Sequence, residues 1–61
     1  MSQVYNPEAG LTAEIERLAL EARDVRRRID QAKTPADKQV LNRQLQETEE
    51  AISALQARLP H

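Results

Sequence analysis

The side chains of this chain that could do chemistry are few and lie far apart in the sequence. His61 is the only histidine and the last residue, so we expect no rigid element to hold it and no second ligand beside it. Glu49 and Glu50 are adjacent, and adjacent residues of a helix point in different directions, which does not suit an acid and base pair. Gly10 is the only glycine and there is no cysteine, which argues against a phosphate loop or a thiolate site. We expect no catalytic residue, no metal, no cofactor and no enzyme.

The strongest charge cluster is the run from Arg26 to Arg28. On a helix, three consecutive residues fan over most of a turn, so they form no single basic stripe. Near the end of a helix they complement the negative end of its dipole. Tyr5 is the only aromatic residue, so the chain has no set of aromatic side chains on which successive bases could stack. We expect solvated arginines and no nucleic-acid partner. A homodimeric four-helix bundle with an RNA-binding or regulatory role is the alternative.

Two apolar heptad patterns predict the elements that carry these residues. In each pattern the apolar positions alternate steps of four and three residues, which is typical of amphipathic helices that pack side by side. The first seam comprises Leu11, Ile15, Leu18, Ala22, Val25, Ile29 and Ala32, and the second comprises Leu41, Leu45, Thr48, Ile52, Leu55 and Leu59. A short connection makes the two helices antiparallel. We predict an all-α fold, a coiled-coil-like two-helix antiparallel hairpin, completed by self-association or by a partner.

The start of helix one is marked by a cap and a proline. Asn6 followed by Pro7 is a good start signal after a short arm of residues 1 to 6. Gly10 disfavours helix and leaves Thr12 as an alternative start. We place helix one at about residues 7 to 33.

The turn is marked by Thr34, which suits the cap of helix two, and by Pro35, which suits its first position. Because a proline disfavours helical geometry in the residue before it, Pro35 also ends helix one. We place the turn at residues 34 to 35 and helix two at about 35 to 59, before Pro60. Residues 1 to 61 then form a single helical-hairpin domain.

Size and charge bound what this hairpin can do. The chain has 61 residues, with no Phe and no Trp, so its core is thin and aliphatic. The net charge is -1, yet the stretch from Arg23 to Arg43 nets +4 and the remainder -5. Folding at the turn therefore polarises the molecule along its length. Asp24 with Arg28, and Arg26 with Asp30, are spaced to pair along helix one.

The start of the sequence has neither the basic region nor the apolar run of a signal peptide, and no segment has the apolar length of a membrane span. We expect a cytoplasmic protein that does not bind membranes.

One layer of the predicted hairpin is weak, because Ala22 faces Thr48. It is either a close-packed waist in which the Thr48 hydroxyl bonds to its own helix, or a place where a partner inserts a large side chain.

Several apolar residues lie off the two seams and could form a second apolar surface. The hairpin needs such a surface to be stable, so we take it as the candidate partner-binding surface. Its residues are Val4, Tyr5, Ala13, Leu20, Val40, Ala51 and Ala54.

The second helix resembles a known family. The stretch from Pro35 to Gln44, followed by the Glu49-Glu50-Ala51-Ile52 step, is similar to the YscE-type co-chaperones of bacterial type III secretion systems, and the basic stretch from Val25 to Ile29 is similar to the end of that family's first helix. The resemblance covers about residues 14 to 56. The N-terminal arm has no counterpart in it, and the turn lacks a glycine.

The resemblance implies a cytoplasmic co-chaperone. Such a protein binds a larger chaperone built from helical repeats, and together they keep a secretion needle subunit monomeric. The expected partners are therefore a helical-repeat chaperone and a needle subunit, with a homodimer as a further possibility.

Overall fold

The computed structural model describes residues 7 to 60. Helix α1 spans Pro7–Gln31 and helix α2 spans Pro35–Ala57. The two helices contact each other as an antiparallel pair, which confirms the predicted all-α hairpin. Residues 1 to 6 and 61, including the arm, lie outside the described residues.

Helix α1 begins at Pro7, so Thr12 is not its start. Gly10 lies inside the first turns of the helix without a positive φ angle. Pro7 provides a preset helical φ angle, and Glu8 in the first turn complements the positive end of the helix dipole.

Helix α1 ends at Gln31, two residues before the predicted end at about 33. The Ala32 amide donates to the Ile29 carbonyl at 3.2 Å. This bond spans three residues, whereas an α-helical bond spans four, so it makes a tighter turn at the end of the helix. Thr34 is extended, with φ -118° and ψ 149°, as the residue before a proline prefers. The chain must reach this extended conformation, so the helix stops early.

Helix α2 starts with the predicted cap. The Thr34 Oγ1 atom accepts a hydrogen bond from the Asp37 amide at 3.1 Å, and the Lys38 amide donates to the Thr34 carbonyl at the same distance. Pro35 occupies the first turn, where a missing amide hydrogen costs nothing.

Helix α2 ends at Ala57 rather than at about 59. The Arg58 amide donates to the Leu55 carbonyl at 3.0 Å and the Leu59 amide to the Gln56 carbonyl at 3.1 Å. These shorter-range bonds tighten the final turn before Pro60, which disfavours helix in the residue before it.

The core between the helices is thin. Among the described residues, only Ala22 and Val25 are buried, at 2% and 3% exposure, and both belong to the first seam. The other residues of both predicted seams are half-buried, as expected for positions that face the other helix. The shortest dimension of the molecule is 14 Å, little more than one helix diameter. Within the described part of the chain, neither helix is long and apolar enough to cross a membrane.

Candidate protein-binding surfaces

In the layer formed by Ala22 and Thr48, the threonine hydroxyl bonds to its own helix, as one of the two interpretations predicted. The Thr48 hydroxyl donates to the Gln44 carbonyl at 2.9 Å, and Ala22 opposite is buried. Beside this layer runs an open groove of about 400 Å³. The groove is lined by Ala19, Ala22, Arg23, Arg26, Glu49, Ile52, Ser53 and Gln56. The small residues leave space there, and insertion of a partner's side chain stays a prediction.

An ion pair joins the two helices at the edge of that groove. The Arg26 Nη2 atom lies 2.5 Å from the Glu49 Oε2 atom. Side chains lean toward the N-terminus of their own helix, so in an antiparallel pair these two lean toward each other. Both side chains are about half exposed, so the pair contributes little to stability.

This contact was missed by the sequence analysis, which indicated Asp30 as the neighbour of Arg26. The available signal was the heptad position. Arg26 directly follows the seam residue Val25, and Glu49 directly follows Thr48. Positions that follow the seam in this way face each other across an antiparallel hairpin.

The other two arginines of the basic run are paired as well. The carboxylate of Asp24 contacts Arg27 at 2.9 Å and Arg28 at 3.0 Å. All three arginines of the run therefore have carboxylate partners. Arg23, by contrast, forms no ion pair with any described residue, although it lies one turn before this run.

A second charged network lies on the N-terminal half of α1. Arg17 contacts Glu21 at 2.7 Å and also contacts Glu14. The hydrogen bond and charge of Glu14 raise the pKa of Arg17, and Glu21 adds to the effect. These groups lie in solvent, so salt screens the network.

Leu20 is the most exposed large apolar residue of α1, at 62%. It lines a shallow depression of about 440 Å³ together with Arg23, Asp24 and Arg27. A leucine bordered by charged side chains matches the apolar centre and polar rim found at protein interfaces.

Val40 is exposed at 68% and lies near the turn. It lines a groove of about 360 Å³ between the helix ends, with Arg28, Gln31, Ala32, Asp37 and Leu41. Both helices contribute to this groove, and the seam residues Ala32 and Leu41 extend its apolar surface.

The structure does not bring the predicted partner-binding residues into one groove. Leu20 and Val40 line separate grooves that share no residue. Ala13 and Ala54 are exposed, and Ala51 is half-buried. The remaining two predicted residues, Val4 and Tyr5, lie outside the described residues.

Comparisons with known proteins assign this chain to no family. No protein-family model, curated protein or solved structure matches it. Among residues 7 to 60, no group of His, Asp or Glu side chains is placed to hold a metal ion.

Proposed function

We propose that this chain is a non-enzymatic protein-binding module whose hairpin packs against a helical surface of another protein. The observation that supports the proposal is burial. In the described part of the chain only Ala22 and Val25 are buried, and the rest of both seams is half-exposed. A partner that covers the hairpin removes this apolar surface from water, which is the main source of stability available to so thin a core.

Leu20 and Val40 are the proposed anchors. Their exposures of 62% and 68% leave most of each side chain for a partner to bury. Complete burial of such a side chain is worth about 1.5–3 kcal/mol. Charged residues around both anchors provide the polar rim found at protein interfaces.

The more specific form of the proposal is a cytoplasmic co-chaperone of type III secretion. It rests on the resemblance of residues 14 to 56 to the YscE-type family. In this form the partner is a helical-repeat chaperone, and the pair keeps a needle subunit monomeric. Helical repeats form extended concave surfaces, and an amphipathic helix binds such grooves through its apolar face.

The test is co-expression of the chain with the helical-repeat chaperone and needle subunit of a YscE-type system. We expect a complex of defined mass by size exclusion with light scattering. Leu20→Glu and Val40→Glu should each abolish it, because a buried unpaired carboxylate is costly. Circular dichroism of the hairpin should change little, since both residues are exposed.

Ala36→Glu is the matched control, because Ala36 is an exposed residue in the first turn of α2, where an acid is favourable. It should leave the complex intact. Binding by both anchor variants would contradict the assigned surface. Failure of the unchanged chain to form any complex would contradict the co-chaperone proposal.

A further inference from the structure

We propose that the outer face of α1 binds a second copy of this chain, in an antiparallel pairing centred on Leu20. The outer face is the stripe formed by Ala13, Glu16, Leu20, Arg23 and Arg27. This inference concerns the isolated chain and does not depend on the proposed partner.

The outer face is a continuous stripe on the side of α1 that α2 does not cover. Its residues follow each other in steps of three and four, and at 3.6 residues per turn they lie on one side of the helix. The first seam lies on the opposite side. All five residues are exposed, and Leu20 is the only large aliphatic side chain among them.

The order of residues along this stripe is self-complementary. If a second copy pairs antiparallel about a two-fold axis at Leu20, the two leucines meet at the centre. Glu16 of each copy then faces Arg23 of the other, and Ala13 faces Arg27. A two-fold interface repeats each contact, so one favourable pair becomes two.

The charges that such a pairing needs are available. Neither Glu16 nor Arg23 forms an ion pair with any described residue, whereas Arg17, Arg26 and Arg27 all do. The free carboxylate and the free guanidinium lie one on each side of Leu20, seven residues apart.

The whole of α1 has the same complementarity. Residues 7 to 21 net -3, and residues 22 to 31 net +2. An antiparallel copy sets each acidic half against a basic half, and a parallel copy would set like charges together. The two helix dipoles are also opposed in the antiparallel arrangement. This pattern identifies a second copy as the occupant of the face.

We expect the dimer to be weak. One helix face with a single large aliphatic residue provides less than the roughly 800 Å² per partner of a standard interface. A dissociation constant of roughly 100 µM suits such a contact. The dimer covers Leu20 and leaves the Val40 groove open, so a partner that needs Leu20 must compete with the second copy.

The test is sedimentation equilibrium of the chain alone, from about 10 µM to 1 mM, with charge variants of the outer face. Glu16→Arg and Arg23→Glu should each weaken dimerisation about tenfold, since either change makes two attractive pairs repulsive. The double variant carries both pairs in reversed order. We expect it to dimerise within about threefold of the unchanged chain.

The control is the matched change on α2, Arg43→Glu with Glu47→Arg, at two exposed residues. It should leave dimerisation unchanged. A chain that is monomeric over the whole range would overturn the proposal, as would a dimer that neither single variant weakens. Rescue by the double variant shows that the single variants act through the pairing and not through loss of folding. Because no partner is present, these outcomes are separate from those of the co-chaperone test.

Discussion

Thr34 shows how much of this fold depends on one residue. Its backbone is extended because Pro35 follows it, and its hydroxyl satisfies the Asp37 amide, which the start of a helix leaves without a partner. Thr34 thus lies in the connection after α1 and caps the start of α2. A helix cap is worth about 1 kcal/mol, which is a large part of the total stability of a hairpin with so little buried surface.

Thr34→Ala should lower the free energy of unfolding by about 1 kcal/mol, because the cap hydrogen bond is lost. Urea unfolding followed by circular dichroism measures the change. Thr12→Ala is the control, since Thr12 is an exposed residue inside α1 where alanine is the better helix former. If the two variants behave alike, the hydroxyl of Thr34 has no capping role.

Gly10→Ala should raise the free energy of unfolding by about 0.5–1 kcal/mol, because alanine loses less conformational freedom in a helix. A Cβ at this position meets no atom within 4 Å, and the backbone already has a negative φ angle. The reverse change at the exposed helical residue Ala54, to glycine, should lower stability by a similar amount. Loss of stability in Gly10→Ala would mean that the first turns of α1 have a different conformation.

At the scale of the helices, the parts predictable from sequence were those with a periodic signal. The seams and the Thr34 cap follow from apolar spacing and proline sterics, and the described residues agree with both. Helix ends lack such a signal. α1 ends at Gln31 and α2 at Ala57 because Pro35 and Pro60 disfavour helical geometry in the residues that precede them. The contact between Arg26 and Glu49 depends on which sides of the two helices face each other. Spacing within one helix, which pairs Arg26 with Asp30, does not contain that information.

The packing of the helices can be tested by comparing two variants in which a valine is replaced by alanine. Val25→Ala should lower the free energy of unfolding by about 2 kcal/mol, since Val25 is 3% exposed and its methyl groups leave a cavity. Val40→Ala should change it by less than about 0.5 kcal/mol, because Val40 is 68% exposed. Urea unfolding of both at low protein concentration gives the comparison. Equal losses would mean that Val40 is covered in the isolated chain.

At the scale of the whole molecule, the charge is divided between the turn and the open end. The stretch from Arg23 to Arg43 nets +4, yet Arg26, Arg27 and Arg28 all contact carboxylates. A carboxylate next to a guanidinium competes with a phosphate for it. The basic end therefore offers fewer cations to nucleic acid than its sequence indicates.

RNA binding should accordingly be weak. Near the turn, Lys33, Lys38 and Arg43 form no ion pair with described residues, and three phosphate contacts give a salt slope of only about -2 for a single strand. We expect a dissociation constant above about 100 µM near physiological salt, as for non-specific binding at its weak end. Fluorescence anisotropy of a short labelled RNA across a salt series measures both quantities.

Lys38→Gln with Arg43→Gln should weaken this binding further and lower the salt slope to that of about one phosphate contact, because only Lys33 of the three unpaired cations is left. Arg27→Gln should change it little, since Asp24 already neutralises that guanidinium. Submicromolar binding with a steep salt slope, lost on changing Arg27, would show that phosphates displace the carboxylates. That result would favour the RNA-binding alternative over a module that recognises other proteins.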